Sequence, residues 1–262
     1  MDNQCRPVTL KFRSILNIPV HMVTMQSALD AVRGMLDRNG VDLVLAANPE
    51  KVIAARADPE LLKALQSASR VIPDGIGVVV ASRLLGERGE IARVPGSELM
   101  PAICELAATE GHGIFLFGAR PEVVADTAAR LCNQYPGLVI AGTQHGYVHE
   151  DDMPQVVDRI NASGARILFV GLGSPRQERW LLRHRARLSG IRLAQGVGGT
   201  FDAICGHPRR APAMIRRLNL EWLYRLLSQP GRIHRQRALP IFAARIAREV
   251  LARSATRNGG LY

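Results

Sequence analysis

In the run Val71-Ile72-Pro73-Asp74-Gly75-Ile76-Gly77 a carboxylate stands between apolar residues and a glycine turn. A carboxylate there can accept a proton from a hydroxyl group. It can equally form an Asx turn or cap the following helix, and spacing alone leaves both readings open for Asp74. Two glycine runs offer a different capacity. Gly171-Leu172-Gly173-Ser174-Pro175-Arg176-Gln177-Glu178 reads as strand, glycine turn and helix start, which aims backbone N–H groups at an anion such as a diphosphate. The same pattern could open a dinucleotide fold, but Arg176 occupies the place of the third glycine in that fingerprint. In Gly196-Val197-Gly198-Gly199-Thr200-Phe201-Asp202, Gly199 permits close approach of a flat base or a phosphate, and Asp202 can bond a ribose or a base edge. A plain strand-to-helix loop is the competing account. His145 and His149, four apart and followed by Glu150, would suit a metal on a helix, but Gly146 between them argues against one, so no metal site is expected.

These residues need elements to hold them. Short apolar runs at 43–47, 114–117, 139–141, 167–170 and 191–194 end in glycine, asparagine or proline and alternate with longer amphipathic stretches. Runs of that length, apolar on both faces, read as buried parallel strands joined by crossover helices, so the fold class is α/β with a doubly wound, Rossmann-like sheet. Pro49, Pro121 and Pro175 follow strand ends, where a first helical turn tolerates a missing N–H. Ligands of such sheets bind at strand C-termini, so the loops opening at Asn48, Gly118, Gly171 and Gly196 are expected to line one crevice.

Composition divides the chain near Gly206. The net charge is +11, and residues 206–262 hold twelve arginines against Glu221 and Glu249, so this tail carries ten of the eleven net charges. The division expected is a catalytic domain over 1–205 and a basic helical appendage over 206–262. Within the tail Met214, Ile215, Leu218, Trp222, Leu226 and Leu227 recur at helical spacing, as core packing or as a face lying among lipid headgroups. The same face would serve a partner subunit in a homo-oligomer. Lysine occurs only at Lys11, Lys51 and Lys63; the arginine bias suits phosphate recognition, though a GC-rich genome produces it too. Four cysteines without a Cys-x-x-Cys pair indicate neither zinc nor a disulfide framework, which fits the cytoplasm. No stretch of about 18 apolar residues occurs, so membrane contact is expected to be peripheral.

Taken in order, Ala47-Asn48-Pro49-Glu50, Pro73-Asp74-Gly75, Arg93-Val94-Pro95-Gly96-Ser97-Glu98, the 171–178 run, Gly198-Gly199-Thr200-Phe201-Asp202, Arg210-Ala211-Pro212 and Glu221-Trp222-Leu223-Tyr224-Arg225 resemble the WecG/TagA/CpsF family of bacterial glycosyltransferases over about residues 15 to 240. The resemblance implies inverting, metal-independent transfer of a hexose from a UDP-sugar to a polyprenyl diphosphate-linked sugar, with no cofactor beyond the UDP-sugar co-substrate. It makes Asp74 the general base and Asn48, Arg93 and Gln177 active-site contacts. Tyr147 and Asp202 become uridine contacts, joined at the donor by Gly118, Gly173 and Gly199. Arg225, Arg232 and Arg235 become appendage arginines that close over the diphosphate. No Asp-x-Asp triplet is present, so arginines and helix N-termini would stabilise the leaving group.

One departure bears on the donor. Ala46 stands where family members often carry threonine, removing one hydroxyl contact. With the arginine-rich composition it leans the reading toward UDP-glucose and a β-1,4 linkage in exopolysaccharide biosynthesis, of the xanthan type. UDP-N-acetylmannosamine or its uronic acid is the alternative donor. Two other classes compete: a nicotinamide-dependent oxidoreductase, disfavoured by Arg176, and a nucleic-acid-binding protein, suggested by a pI near 10.5. With only 5% aromatic residues and charge confined to the tail, no nucleic-acid partner is expected; an anionic membrane surface is.

Overall fold

The computed structural model describes residues 11–86, 89–206 and 237–258, with side chains as far as Arg253. Its strands are β1 (Phe12–Ile15), β2 (Ile18–His21), β3 (Asp42–Ala47), β4 (Arg70–Pro73), β5 (Ile114–Gly118), β6 (Ile140–Gln144), β7 (Ile167–Gly171) and β8 (Leu193–Gly196). Strands β1 and β2 form an antiparallel hairpin, and the other six form a sheet in the order β4-β3-β8-β7-β5-β6 with every neighbouring pair parallel. The helices are α1 (Met25–Leu36), α2 (Pro49–Ala55), α3 (Pro59–Ser67), α4 (Ile76–Leu84), α5 (Gly96–Glu110), α6 (Pro121–Gln134), α7 (Met153–Ala162), α8 (Arg176–His184), α9 (Thr200–Ile204) and α10 (Ala238–Asn258).

Period-two alternation sorts the sheet residues into two cores. Leu43, Leu45, Phe115, Phe117, Leu168 and Val170 face α2, α3, α7 and α8, whereas Val44, Leu116, Ile167, Phe169 and Leu193 face α1, α5, α6 and α9. Helices on links that step toward β4 lie on the first face, and α5 and α6, on links that step toward β6, lie on the second. That is the arrangement one handedness of crossover produces. The chain therefore leaves β5 and its neighbour β7 toward opposite faces, and leaves β8 away from both β7 and β3. Crevices of an open α/β sheet form at such reversals.

Expectation and structure differ in several elements, among them β4, which no apolar run had marked as a strand. The strand expected at 139–141 runs over Ile140–Gln144 and the one expected at 191–194 over Leu193–Gly196. In both, polar or glycine residues extend the strand beyond the apolar run: β6 is an edge strand only partly covered by helices, with Ile140 to Gly142 half-buried and Thr143 exposed, and in β8 Gln195 is buried beside α5. The β1–β2 hairpin carries no turn signature in sequence, since Leu16 and Asn17 both adopt positive φ, 48° and 72°, at a turn that usually takes Asn-Gly. Pro49 and Pro121 stand at the first helical turn as expected; Pro175 instead precedes Arg176, the first residue of α8.

In the tail, α10 packs on α2, and Phe242 and Ile246 enter the same core as Val52 and Ala55. The end of the basic segment thus packs onto the domain. The apolar stripe from Met214 to Leu227 lies outside the described residues.

His21 fastens the hairpin to the sheet. The edge strand β4 offers the Val71 N–H, which donates to His21 Nδ1 at 3.0 Å. Burial, and then the nearby Arg70 charge, lower the His21 pKa from 6.5 to about 4. Between those values the unfolded chain binds a proton that the folded chain refuses, so this stability is complete above pH 6.5 and disappears as pH falls through about 4. The difference is worth roughly 3 kcal/mol. Urea unfolding followed from pH 7.5 to 4.5 is expected to show that loss. His21→Gln, which offers an acceptor that does not titrate, is expected to flatten most of it.

Candidate active site

Asp74 follows β4, and its own N–H extends the ladder by donating to Ala47 O at 2.9 Å. Val94 N–H donates to Pro73 O at 2.8 Å, which draws the segment before α5 across the end of β4. The first amide of α5, Gly96 N–H, then donates to Asp74 Oδ1 at 3.2 Å. Asp74 does not cap its own helix: α4 begins after Gly75 with no side-chain cap. A carboxylate at the N-terminus of the fifteen-residue α5 is held where the helix dipole favours negative charge. Arg93 lies in the same crossing segment, half-buried and paired with Glu98 at 3.4 Å.

Asn48 ends β3 beside Asp74. Its Oδ1 accepts from Lys51 N–H at 2.8 Å as the N-cap of α2, and among the described residues its Nδ2 has no partner. A Cβ placed on Gly75 would lie 3.6 Å from Asn48 Cβ, so the two loops touch. Asn48, Asp74 and Arg93 therefore sit together over β3 and β4.

Over β7 and β8 the arrangement is tighter. Gln177 is 2% exposed; its Oε1 accepts from Gly198 N–H at 2.8 Å and its Nε2 donates to Glu178 Oε1 at 3.0 Å. Its described bonds thus hold the loop that carries Gly199 and Asp202. Asp202 is half-buried in α9.

The glycines separate into two kinds that spacing cannot tell apart. At Gly118, φ +133°, a Cβ would lie 2.4 Å from the carbonyl of Gly171, so this residue exists to let two backbones pass. Ala119 continues in the left-handed region, φ 56°, donating to Gly171 O and accepting from Gly146 N–H. Gly173 and Gly199, in contrast, meet nothing within 4 Å. They leave room for a ligand against the backbone.

Tyr147 is 72% exposed, on the rim of a cavity of about 600 Å³ between α6 and α7 that Gln144, His145 and Arg159 also line. This cavity lies beside β6, five strand spacings from β4, on the order of 24 Å. The Asp74 carboxylate and the open glycine turns at Gly173 and Gly199 lie apart from this cavity, along the strand C-termini. The segment from His145 to His149 is not helical, and among the described residues no three His, Cys, Asp or Glu side chains are grouped for a metal. Burial pushes the Cys104 thiol up to about 12 and raises Cys205, which disfavours the thiolate at both. Arg225, Arg232 and Arg235 lie outside the described residues.

Two buried charges were not singled out by spacing. Lys51 Nζ and Glu178 Oε1 are 2.6 Å apart, at 9% and 0% exposure. The signal available was that Lys51 is one of only three lysines in an arginine-rich chain and lies three residues after the helix-capping Asn48.

A six-stranded parallel sheet flanked by helices, with glycine turns and the held Asp74 carboxylate at its strand C-termini, places the chain in the Rossmann-like α/β class. Residues 13–256 match the model of the glycosyl transferase WecG/TagA/CpsF family, and the chain belongs to that family. It is a glycosyltransferase, acting between a sugar-nucleotide donor and a sugar acceptor. The nicotinamide reading, already weakened by Arg176, has no support left.

Gly118→Ala is expected to cost about 3 kcal/mol or more, because the methyl group meets backbone and the φ is strained. Gly199→Ala, at φ −84° with open space around it, is expected to change stability by less than about 0.5 kcal/mol. Urea unfolding of the two variants beside the unaltered protein checks both.

Proposed function

We propose that the protein transfers a hexose, with inversion and without a metal, from a UDP-sugar to a polyprenyl diphosphate-linked sugar at the cytoplasmic face of the membrane. The observation that carries this reading is the Asp74 carboxylate, held by the first amide of α5 at the same sheet edge that opens at Gly173 and Gly199. The donor lies along the strand ends, with uridine toward Tyr147 and Asp202, diphosphate across Gly173 and Gly199, and sugar toward Asn48, Arg93 and Asp74.

Asp74 takes the proton of the acceptor hydroxyl as that oxygen bonds to the anomeric carbon. The bond from that carbon to the UDP oxygen breaks, and its electron pair leaves with UDP. Positive charge on the departing diphosphate comes from Arg225, Arg232 and Arg235. UDP-glucose is the favoured donor, joined β-1,4 in exopolysaccharide biosynthesis. Ala46 supports this, since it stands 3.9 Å from the Cβ position of Gly96 and gives this wall a methyl where a threonine would give a hydroxyl. N-acetylmannosamine or its uronic acid is the other donor to test. The outer face of α10 supports contact with an anionic bilayer, for it exposes Ile241 and Leu251 together with Arg245 and Arg248. No described helix is long and apolar enough to cross a membrane.

Asp74→Asn keeps an acceptor for Gly96 N–H but loses the base. It is expected to lower kcat about 100- to 10,000-fold while UDP binding changes little. Radiolabelled UDP-sugars offered singly with synthetic lipid diphosphate sugars supply the assay, and full activity of the Asn variant would remove Asp74 from the chemistry. Replacing Arg225, Arg232 and Arg235 together by Ala is expected to reduce kcat by at least about tenfold in the same assay.

A further inference from the structure

Four residues form a continuous line beneath the proposed crevice. Asn48 Oδ1 accepts from the Lys51 main-chain N–H at 2.8 Å, Lys51 Nζ pairs with Glu178 at 2.6 Å, Glu178 Oε1 accepts from Gln177 at 3.0 Å, and Gln177 accepts from Gly198 N–H at 2.8 Å. The line starts at the residue beside Asp74 and ends at the loop of Gly199 and Asp202. It joins the acceptor-side wall on α2 to the donor-side wall between β8 and α9, across the start of α8.

Stability does not explain the charges. Lys51 and Glu178 lie almost wholly out of water, and Glu178 Oε2 is a buried oxygen with no hydrogen-bond partner among the described residues. A buried ion pair with one oxygen unsatisfied loses more hydration than its attraction returns, and apolar pairs of similar volume commonly serve a fold as well or better. What an apolar pair cannot do is fix direction. The carboxylate orients the Gln177 amide, so that Oε1 and not Nε2 faces Gly198, and a Cβ on Gly196 would lie 2.8 Å from Gln177 Nε2, so the amide has no room to shift.

We propose that Lys51 and Glu178 are positioning residues that set the donor loop at 198–202 relative to Asn48 and Asp74, without touching substrate themselves. This rests on the reading of the site given above. The test pairs Lys51→Met with Glu178→Leu, which removes both charges at similar volume. Expected is a melting temperature within a few degrees of the parent and kcat lower by about 30- to 100-fold, the scale of a misplacement near 1 Å. Hydrogen exchange of the amides at 196–202 is expected to accelerate at least tenfold while β5 and β7 keep their protection. That readout needs no substrate, so it decides the positioning role even if the transferase assignment fails with the unaltered protein. Unchanged exchange at 196–202, or wild-type kcat in a stable double variant, overturns the proposal, as does a loss confined to KM. Should the double variant not fold, Glu178→Asp decides. It keeps the charges and withdraws the carboxylate by one methylene; faster exchange at 196–202 supports positioning and unchanged exchange overturns it.

Discussion

The backbones that leave the adjacent parallel strands β5 and β7 toward opposite faces lie closer together than the width of a side chain. At the ends of β5 and β7 that passage is made by Gly118 and Gly171, and a single methyl on the first would overlap the carbonyl of the second. Ala119 takes up a left-handed conformation to continue the crossing and receives the loop after β6 through Gly146. The two backbones are in contact where α6 and α8 leave toward opposite sides of the sheet.

The two ends of the sheet solve different problems around that crossing. At β4 the open edge is covered by a hairpin, and a histidine ring accepts one of the edge amides. This side carries Asp74, so the same covering that protects the edge also steadies the proposed base. At β6 the strand carries half-buried Ile140, Ala141 and Gly142 and exposed Thr143, with the 600 Å³ cavity beside it.

Charge is divided just as unevenly. Nearly all the net positive charge lies after residue 205, yet the last helix packs on α2 through Phe242 and Ile246. The basic tail is thereby anchored at its far end, on the helix that Asn48 caps. Inside the domain the notable charges are the opposed pair Lys51 and Glu178, which add nothing to the net charge and lie under the crevice. Long-range attraction and local orientation thus fall to different parts of the chain.

Much of this was legible in the residues. Apolar runs between glycine and proline stops gave the sheet its class, because a strand covered on both faces must be apolar on both. The order of short motifs gave the family, and the tail's arginines were countable. Five of the eight strands were marked by apolar runs; β4 and the hairpin were not, the hairpin because its turn uses Leu16 and Asn17 in a conformation those residues seldom show. Sequence also marked Asp74 and Gln177 but could not name what holds them, because those partners lie 22 and 21 residues along the chain. Asp74 grips an amide 22 residues away, and Lys51 meets Glu178 across 127. Which glycines yield to a backbone and which open to a ligand was likewise settled only by tertiary contact, as the residue type is the same and only its surroundings differ.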